Sequence, residues 1–458
     1  MFRKSWMMVW LIVVYFCGLG YAGENAVIST TDYSSGNLAV LAEGASEAQV
    51  DVLPIHSDNA VFSYAGALYV VEKFGKDNII KVDADDLSPS GVVYQYSVGN
   101  GANPQAIAFV SAGRAYVTRY GDTKLWIINP NAASEVNFKI GEIDLSEYAD
   151  DDGLPEMAPL TLIGGKLYVG IQRLDRNSGW VPLDAKVVVI DTATDAVIKV
   201  IALEKGNPQA MAAFGGMLYV STGGSLFDPT DGAIEQIALS TDEHAGLLVT
   251  EADLGGNAGG LAIRSGDKGY VVVGSWPDYV VKPFDPGTGA IGEALPGPSE
   301  VSTMAIGPSG SLYVLDRSQE TPGVYVYNAK DQLTAGPIST GLPPNTIAFV
   351  GEATEVAVEE RTQWTPLSFE LGANYPNPFN ASTVIPYTVE NTGVVRLCVY
   401  DGLGQHVATL VQEVQAAGRY AARWNGRSDA GAEVASGFYL VRLETAHRSA
   451  TSKVLFLK

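Results

Sequence analysis

Gly66-Ala67-Leu68-Tyr69-Val70 decides the fold, because the same pattern returns along the chain. It reappears as Gly113-Arg114-Ala115-Tyr116-Val117, Gly165-Lys166-Leu167-Tyr168-Val169 and Gly216-Met217-Leu218-Tyr219-Val220. Gly269-Tyr270-Val271 and Gly310-Ser311-Leu312-Tyr313-Val314 complete the series, with the tyrosines 47, 52, 51, 51 and 43 residues apart. An apolar run precedes each copy, as in residues 106–110 and 210–214. A polar loop and an alternating strand follow, as in residues 125–129 and 187–191, and then a more variable fourth strand. No apolar rhythm of about 3.6 residues runs through this region, so amphipathic helices are excluded.

Four short strands repeating every ~40–50 residues are the blades of a β-propeller. Six complete units run from about residue 60 to about residue 343. A seventh is split between the chain ends. Ile347-Ala348-Phe349-Val350 supplies a first strand, and residues 27–32 and 37–41 supply the second and third. Joining the ends in one blade closes the ring and removes exposed sheet edges. The expected fold class is therefore all-β: a seven-bladed β-propeller over residues 24–351, then a small Ig-like β-sandwich. A linker is expected over residues 352–365 and the sandwich over residues 366–458. An eighth blade would have to come from residues 144–160.

Residues 1–23 read as a secretory signal peptide: Arg3 and Lys4, an apolar run over residues 6–19, and small residues before Glu24. The mature protein is expected to be secreted or displayed on the cell surface. Cys17 would mark lipid attachment, but Tyr15 and Phe16 are bulky where small residues are needed. Cleavage leaves Cys398 as the single thiol, so no internal disulfide is available and packing must carry stability. The balance of 51 acidic against 29 basic residues gives a net charge of −22. Nucleic acid, which needs a basic footprint, is excluded as a partner.

The Tyr-Val strands, with Asn-Pro before inner strands at Asn103-Pro104 and Asn207-Pro208, resemble the YVTN-type extracellular propellers of bacteria and archaea. That family includes surface-layer, adhesion and ligand-binding proteins. Further on, Asn374-Tyr375-Pro376-Asn377-Pro378-Phe379-Asn380, Trp424-Asn425-Gly426-Arg427 and Ser436-Gly437-Phe438-Tyr439 are similar to the C-terminal domains of type IX secretion and to the Ig-like domain of the flagellar hook-capping protein. This resemblance makes Asn374 to Asn380 a sorting motif and outer-membrane secretion machinery a partner.

In a four-stranded blade, the segment leading into the inner strand and the loop between strands two and three share one face around the channel. The first set on that face is His56, Asp58, Asn103, Gln105, Glu156, Asn207, Gln209 and Asn257. The second is Lys73, Arg119, Tyr120, Arg173, Asp175, Arg176, Trp276, Asp278 and Arg317. Amides, arginines and aromatics converging on one rim suit a small polar organic ligand. Taken singly, each also suits a plain loop-capping role. Asp150, Asp151 and Asp152 are expected to be solvated, with calcium as the alternative. No other cofactor is expected.

No Gly-x-Ser-x-Gly elbow accompanies His56, and His244, His406 and His447 lie in unrelated segments. The leading expectation is a monomeric, non-catalytic binding or scaffold protein, loosely similar to surface propellers that capture a corrinoid for uptake. A propeller lactonase or hydrolase and an adhesion or surface-layer protein are the alternatives.

Overall fold

A computed structural model describes residues 25–351 and 369–457, apart from residues 373, 375, 376, 381, 382, 390–392, 403, 416, 417, 430, 446 and 447. The signal-peptide and linker expectations, and Tyr375 and Pro376 of the sorting motif, lie outside the described residues. The chain divides into two compact units, Met1–Thr362 and Gln363–Lys458.

Among the described residues the first unit contains seven antiparallel blade sheets and a two-stranded hairpin of Leu174–Asp175 and Val181–Pro182. Blade 1 is the split one: Pro344–Val350 innermost, then Asn25–Thr31, Gly36–Ala42 and Pro54–Ile55. Blade 2 is Asn59–Tyr64, Ala67–Glu72, Asn78–Asp83 and Val92–Ser97, and blade 3 is Pro104–Ser111, Arg114–Arg119, Lys124–Ile128 and Lys139–Asp144. Blade 4 comprises Met157–Ile163, Lys166–Ile171, Lys186–Asp191 and Ala196–Ala202. Blade 5 comprises Pro208–Phe214, Met217–Thr222, Ala233–Ala238 and Glu243–Thr250. Blade 6 has three strands, Asn257–Ser265, Lys268–Ser275 and Asp278–Phe284. Blade 7 is Val301–Ile306, Leu312–Asp316, Gly323–Tyr327 and Leu333–Ile338. The inner strands touch one another in blade order and the seventh meets the first, so the ring is closed. The segment over residues 144–160 leads into blade 4 and adds no eighth blade.

Burial falls outward from the second strand. Ala67–Glu72 is buried throughout, whereas the fourth strand Ala196–Ala202 alternates between exposed positions and half-buried or buried ones. Period-two alternation is what a strand with one solvated face requires. The innermost strands Met157–Ile163 and Pro208–Phe214 are apolar but mostly half-buried. These strands converge on the axis and line the channel, so water reaches one side of them.

Polar side chains stitch the inner ring together. Gln172 Nε2 of blade 4 donates to the Pro208 carbonyl of blade 5 at 2.9 Å, and Ser221 Oγ to the Gly259 carbonyl of blade 6 at 2.6 Å. Asn345 Nδ2 donates to the Asn59 carbonyl at 2.8 Å, and the Ser29 and Thr346 hydroxyls pair at 2.7 Å within the split blade.

A second set of ties uses four of the six repeated tyrosines. The Tyr116 hydroxyl of blade 3 donates to Asp195 in the last hairpin turn of blade 4 at 2.5 Å. Tyr168 of blade 4 donates to Asp242 of blade 5, and Tyr270 of blade 6 to Asp331 of blade 7, both at 2.6 Å. Tyr219 reaches the Pro286 carbonyl of blade 6 at 3.3 Å. Each aspartate also takes a cation from the tyrosine's own strand: Arg114 on Asp195, Lys166 on Asp242 and Lys268 on Asp331. The three aspartates sit at φ of +57°, +53° and +60°, a left-handed turn position that Asp tolerates better than most residues. Burial, then the Asp195 carboxylate, pushes the Tyr116 hydroxyl up to about 12, so it stays a donor.

The second unit has one sheet of Glu370–Leu371, Thr383–Val389 and Gly418–Trp424, and another of His406–Gln415, Gly393–Tyr400, Gly437–Glu444 and Ser449–Phe456. Ile385, Leu397, Val399, Trp424, Val441 and Phe456 fill its core. Cys398 is buried and unpaired with another cysteine.

Asp242→Ala orphans a buried tyrosine hydroxyl and a lysine ammonium, and should cost about 2–4 kcal/mol of stability. Asp242→Asn keeps an acceptor and tolerates the turn, so it should lose less. Equal losses for both variants in chemical denaturation would show that the Tyr168 tie is not what stabilises this turn.

Candidate functional site

Counting from the repeated tyrosine explains which side chains reach the channel face. Three residues on come Glu72, Arg119, Thr222 and Asp316, all buried between blades. Thr222 bonds Ala233 and Glu235 of its own blade, and the other three hold the segment leading into an inner strand. Glu72 accepts from the His56 N–H at 2.6 Å, Asp316 from the Glu300 N–H at 2.7 Å, and Arg119 Nε donates to the Val98 carbonyl at 2.9 Å. Four residues on come Lys73, Tyr120 and Gln172, and these line a cavity of about 570 Å³. Asn103, Gln105, Asn207 and Gln209 complete its polar wall, with Ala106, Ala158, Pro159 and Leu174 between them.

Two copies of one local device build that wall. Asn103 and Asn207 sit at φ of +45° and +60°, each followed by a proline that fixes the start of its strand. Gln105 Nε2 donates to Asn103 Oδ1 at 2.9 Å, and Gln209 Nε2 to Asn207 Oδ1 at 2.7 Å. Asp77 anchors the first copy by accepting from the Asn103 N–H at 2.7 Å, and Asn207 Nδ2 anchors the second on the Gly224 carbonyl at 2.9 Å. Each asparagine braces a glutamine beside the cavity.

Lys73 is the cation of this cavity. Among the described residues its ammonium makes no hydrogen bond or ion pair. Desolvation pulls its pKa below the ordinary lysine value, and the Asp58 carboxylate opposes that shift. A desolvated ammonium without a partner is costly, which suits a group awaiting a ligand acceptor.

Beside Tyr120 lies a charged cluster. Asp150, Asp152 and Glu156 each place a carboxylate oxygen within 4.8 Å of the others. Asp151, from the same acidic run, is exposed and outside it. Arg176 Nε reaches Glu156 at 3.1 Å and Asp152 at 3.5 Å, and its guanidinium lies 5.7 Å from the Tyr120 ring and 4.9 Å from that of Trp180. Glu156 is fully buried at φ of +48°, and burial followed by the Asp152 charge pushes its carboxyl up to about 7. Burial also raises Asp150. The three carboxylates are the residues that could hold a hard cation, and Arg176 already supplies a positive charge there.

The remaining expected site residues scatter. His56 Nδ1 closes a turn on the Asp58 carbonyl at 3.2 Å, and Asp175 caps the Asn177 and Ser178 N–H groups. Arg119 is a correction: its guanidinium stacks on Trp126 at 4.4 Å and pairs with Asp122 at 3.0 Å, away from the cavity. Asn257 is another, buried with Nδ2 on the Ser225 carbonyl at 2.9 Å, where it ties down the neighbouring blade's loop. Arg173 lines a separate cavity of about 480 Å³ on the same face, with Asp184, Glu204, Lys205 and Asp231. Trp276 and Asp278 are exposed, and Arg317 stacks on Tyr33 at 4.5 Å. Gln172 was not singled out in the sequence, although its distance from Tyr168 marks it.

In the sandwich, the expected sorting motif is partly structural. Phe379 is buried against Trp424 and Phe456, and its backbone pairs with Leu455 and Leu457 of the last strand segment. Asn374 is buried with Nδ2 on Thr383 Oγ1 at 2.9 Å, Asn377 accepts from the Leu455 N–H at 3.0 Å, and Pro378 and Asn380 are exposed.

Residues 380–449 match the FlgD Ig-like domain. No curated protein matches the chain in sequence. Similar solved structures include a candidate 6-phosphogluconolactonase from Bacteroides uniformis, 11% identical with a TM-score of 0.53, covering 71% of this chain and 99% of that one. A second, from Bacteroides fragilis, is 12% identical with a TM-score of 0.51, covering 71% and 98%. At these identities the likeness is one of fold.

The Glu156 carboxyl gives a pH test. Its folded pKa is raised from 4.5 to about 7, so its contribution to stability is full below about pH 4.5 and is lost as pH rises through about 7. Glu156→Gln removes that titration. Relative to wild type, the variant should be about 1–3 kcal/mol better off at pH 8 than at pH 5 in denaturant unfolding. A wild-type–variant difference that does not change with pH would contradict this assignment.

Proposed function

We propose that the chain is an exported, non-catalytic binding protein whose propeller holds a small polar organic ligand in the channel-face cavity. The observation that carries this reading is the meeting of Lys73 with Gln105, Gln172 and Gln209 around one cavity. Amides offer both donors and acceptors, the ammonium adds three donors, and the ring is rigid enough to hold them in place. The fold similarity to candidate lactonases does not transfer their chemistry, and His56 serves a turn. Corrinoids remain among the ligands to test. The chain acts as a monomer and makes no use of nucleic acid, consistent with its net charge of −22. The Asp150–Asp152–Glu156 cluster works with Arg176 as its counter-charge and needs no calcium.

The C-terminal sandwich serves as a sorting domain read by outer-membrane secretion machinery, which places the propeller on the cell surface or outside the cell. Its FlgD-like match and the motif from Asn374 to Asn380 support this.

Two outcomes test the proposal. In thermal-shift screening against corrinoids, sugars and siderophores, at least one compound should stabilise the wild type. Lys73→Met should bind that compound at least about tenfold more weakly while melting no lower than wild type, because a desolvated cation has been removed. No shift across the panel, or a variant that simply unfolds earlier, would refute the cavity as a binding site. Deleting residues 371–458 should leave the propeller folded and retained in the periplasm, and normal surface display of that truncation would refute the sorting role.

A further inference from the structure

Five aromatic side chains of the propeller project into solvent among the described residues. Phe227 is 91% exposed, Tyr33 80%, Trp276 79%, Phe74 72% and Trp180 52%. Every one lies between the second and third strands of its blade, in blades 5, 1, 6, 2 and 4 respectively. Those loops share the face that holds the cavity. The opposite face carries the tight glycine turns and the Tyr–Asp ties, and no aromatic residue there is among the exposed ones. Leaving a large apolar side chain in water forgoes about 1.5–3 kcal/mol of burial, so five on one face is a patterned surface and not scatter.

Two of these rings are held by cations: the Arg317 guanidinium sits 4.5 Å from the Tyr33 ring, and that of Arg176 sits 4.9 Å from the Trp180 ring. A stacked guanidinium fixes a ring's orientation while the ring stays accessible. On the same face, the polar part of the cavity wall is made of amides and Tyr120, with Lys73 as its one cation. A ligand matching both features must present flat C–H faces to the rings and hydroxyls to the amides. Each hydroxyl both donates and accepts, as each amide does. A lipid would meet a polar cavity, and a polyanion would meet a protein of net charge −22.

We infer that this face binds a neutral oligosaccharide, with sugar rings stacked on the aromatic crown and a terminal unit in the amide cavity. The inference rests on the reading that the cavity holds a ligand, and names the ligand's class.

The test is isothermal titration of the mature chain with maltohexaose, cellohexaose, xylohexaose and mannohexaose, with cyanocobalamin as a polar non-saccharide probe. Two double variants accompany the wild type: Phe227→Ala with Trp276→Ala in the crown, and Gln105→Ala with Gln209→Ala in the cavity. One hexasaccharide should bind, and each double variant should weaken it at least about tenfold. The crown variant should keep the wild-type melting temperature, since its side chains pack on little. Saccharide binding that survives the crown substitutions would overturn the inference. Cyanocobalamin binding lost with the glutamines, in a protein that binds no hexasaccharide, would overturn the saccharide assignment and leave the cavity reading intact. Binding of none of the five probes would overturn the inference outright, and the wider thermal-shift panel would then decide the cavity reading separately.

Discussion

A tyrosine hydroxyl donating into the last hairpin turn of the next blade is the directional constraint at three of the ring's blade junctions. Neighbouring sheets share no backbone ladder, so their mutual position rests on packing and on a few directional bonds. Tyr116, Tyr168 and Tyr270 each bridge that gap to an aspartate, and Arg114, Lys166 and Lys268 satisfy the remaining charge. Because the hydroxyl, carboxylate and cation come as a set, each tie avoids the penalty of a buried group left unpaired.

These ties divide the labour between the two faces of the disc. One face is closed by short turns in left-handed geometry and locked from blade to blade. The other carries the longer loops, the amide cavity and the exposed rings. A rigid base frees the loops from holding the fold, which is where binding groups are best placed. The buried polar residues three places after Tyr69, Tyr116 and Tyr313 connect the two roles. Glu72, Arg119 and Asp316 clamp the backbone leading into the inner strands, so the wall of the cavity inherits the stiffness of the ring.

Much of this is legible in the sequence, for a physical reason: the tyrosine recurs at much the same place in the second strand of six blades, so its spacing reports blade size. Its partners were harder to see. Asp195, Asp242 and Asp331 look like ordinary turn residues, and only the three-dimensional neighbour reveals what they accept. Asn103, Gln105, Tyr120, Asn207 and Gln209, which the sequence groups on one face, line one cavity. Arg119 and Gln172 are hard to tell apart in sequence, because one residue of register separates a buried clamp from a cavity lining. Phe379 reads as a signal in the sequence but packs as core in the sandwich, and the two uses need not conflict.

The split blade has a consequence for the order of events during synthesis. Asn25–Thr31 pairs on one side with Gly36–Ala42 and on the other with Pro344–Val350. A growing chain cannot satisfy that second pairing until nearly all of the first unit has been made. Until then the nascent arc keeps open strand borders at both extremities, which invite pairing with other chains. Final assembly is thus a long-range event gated by the last strand to emerge, and a nascent polypeptide stays threadable for most of its manufacture.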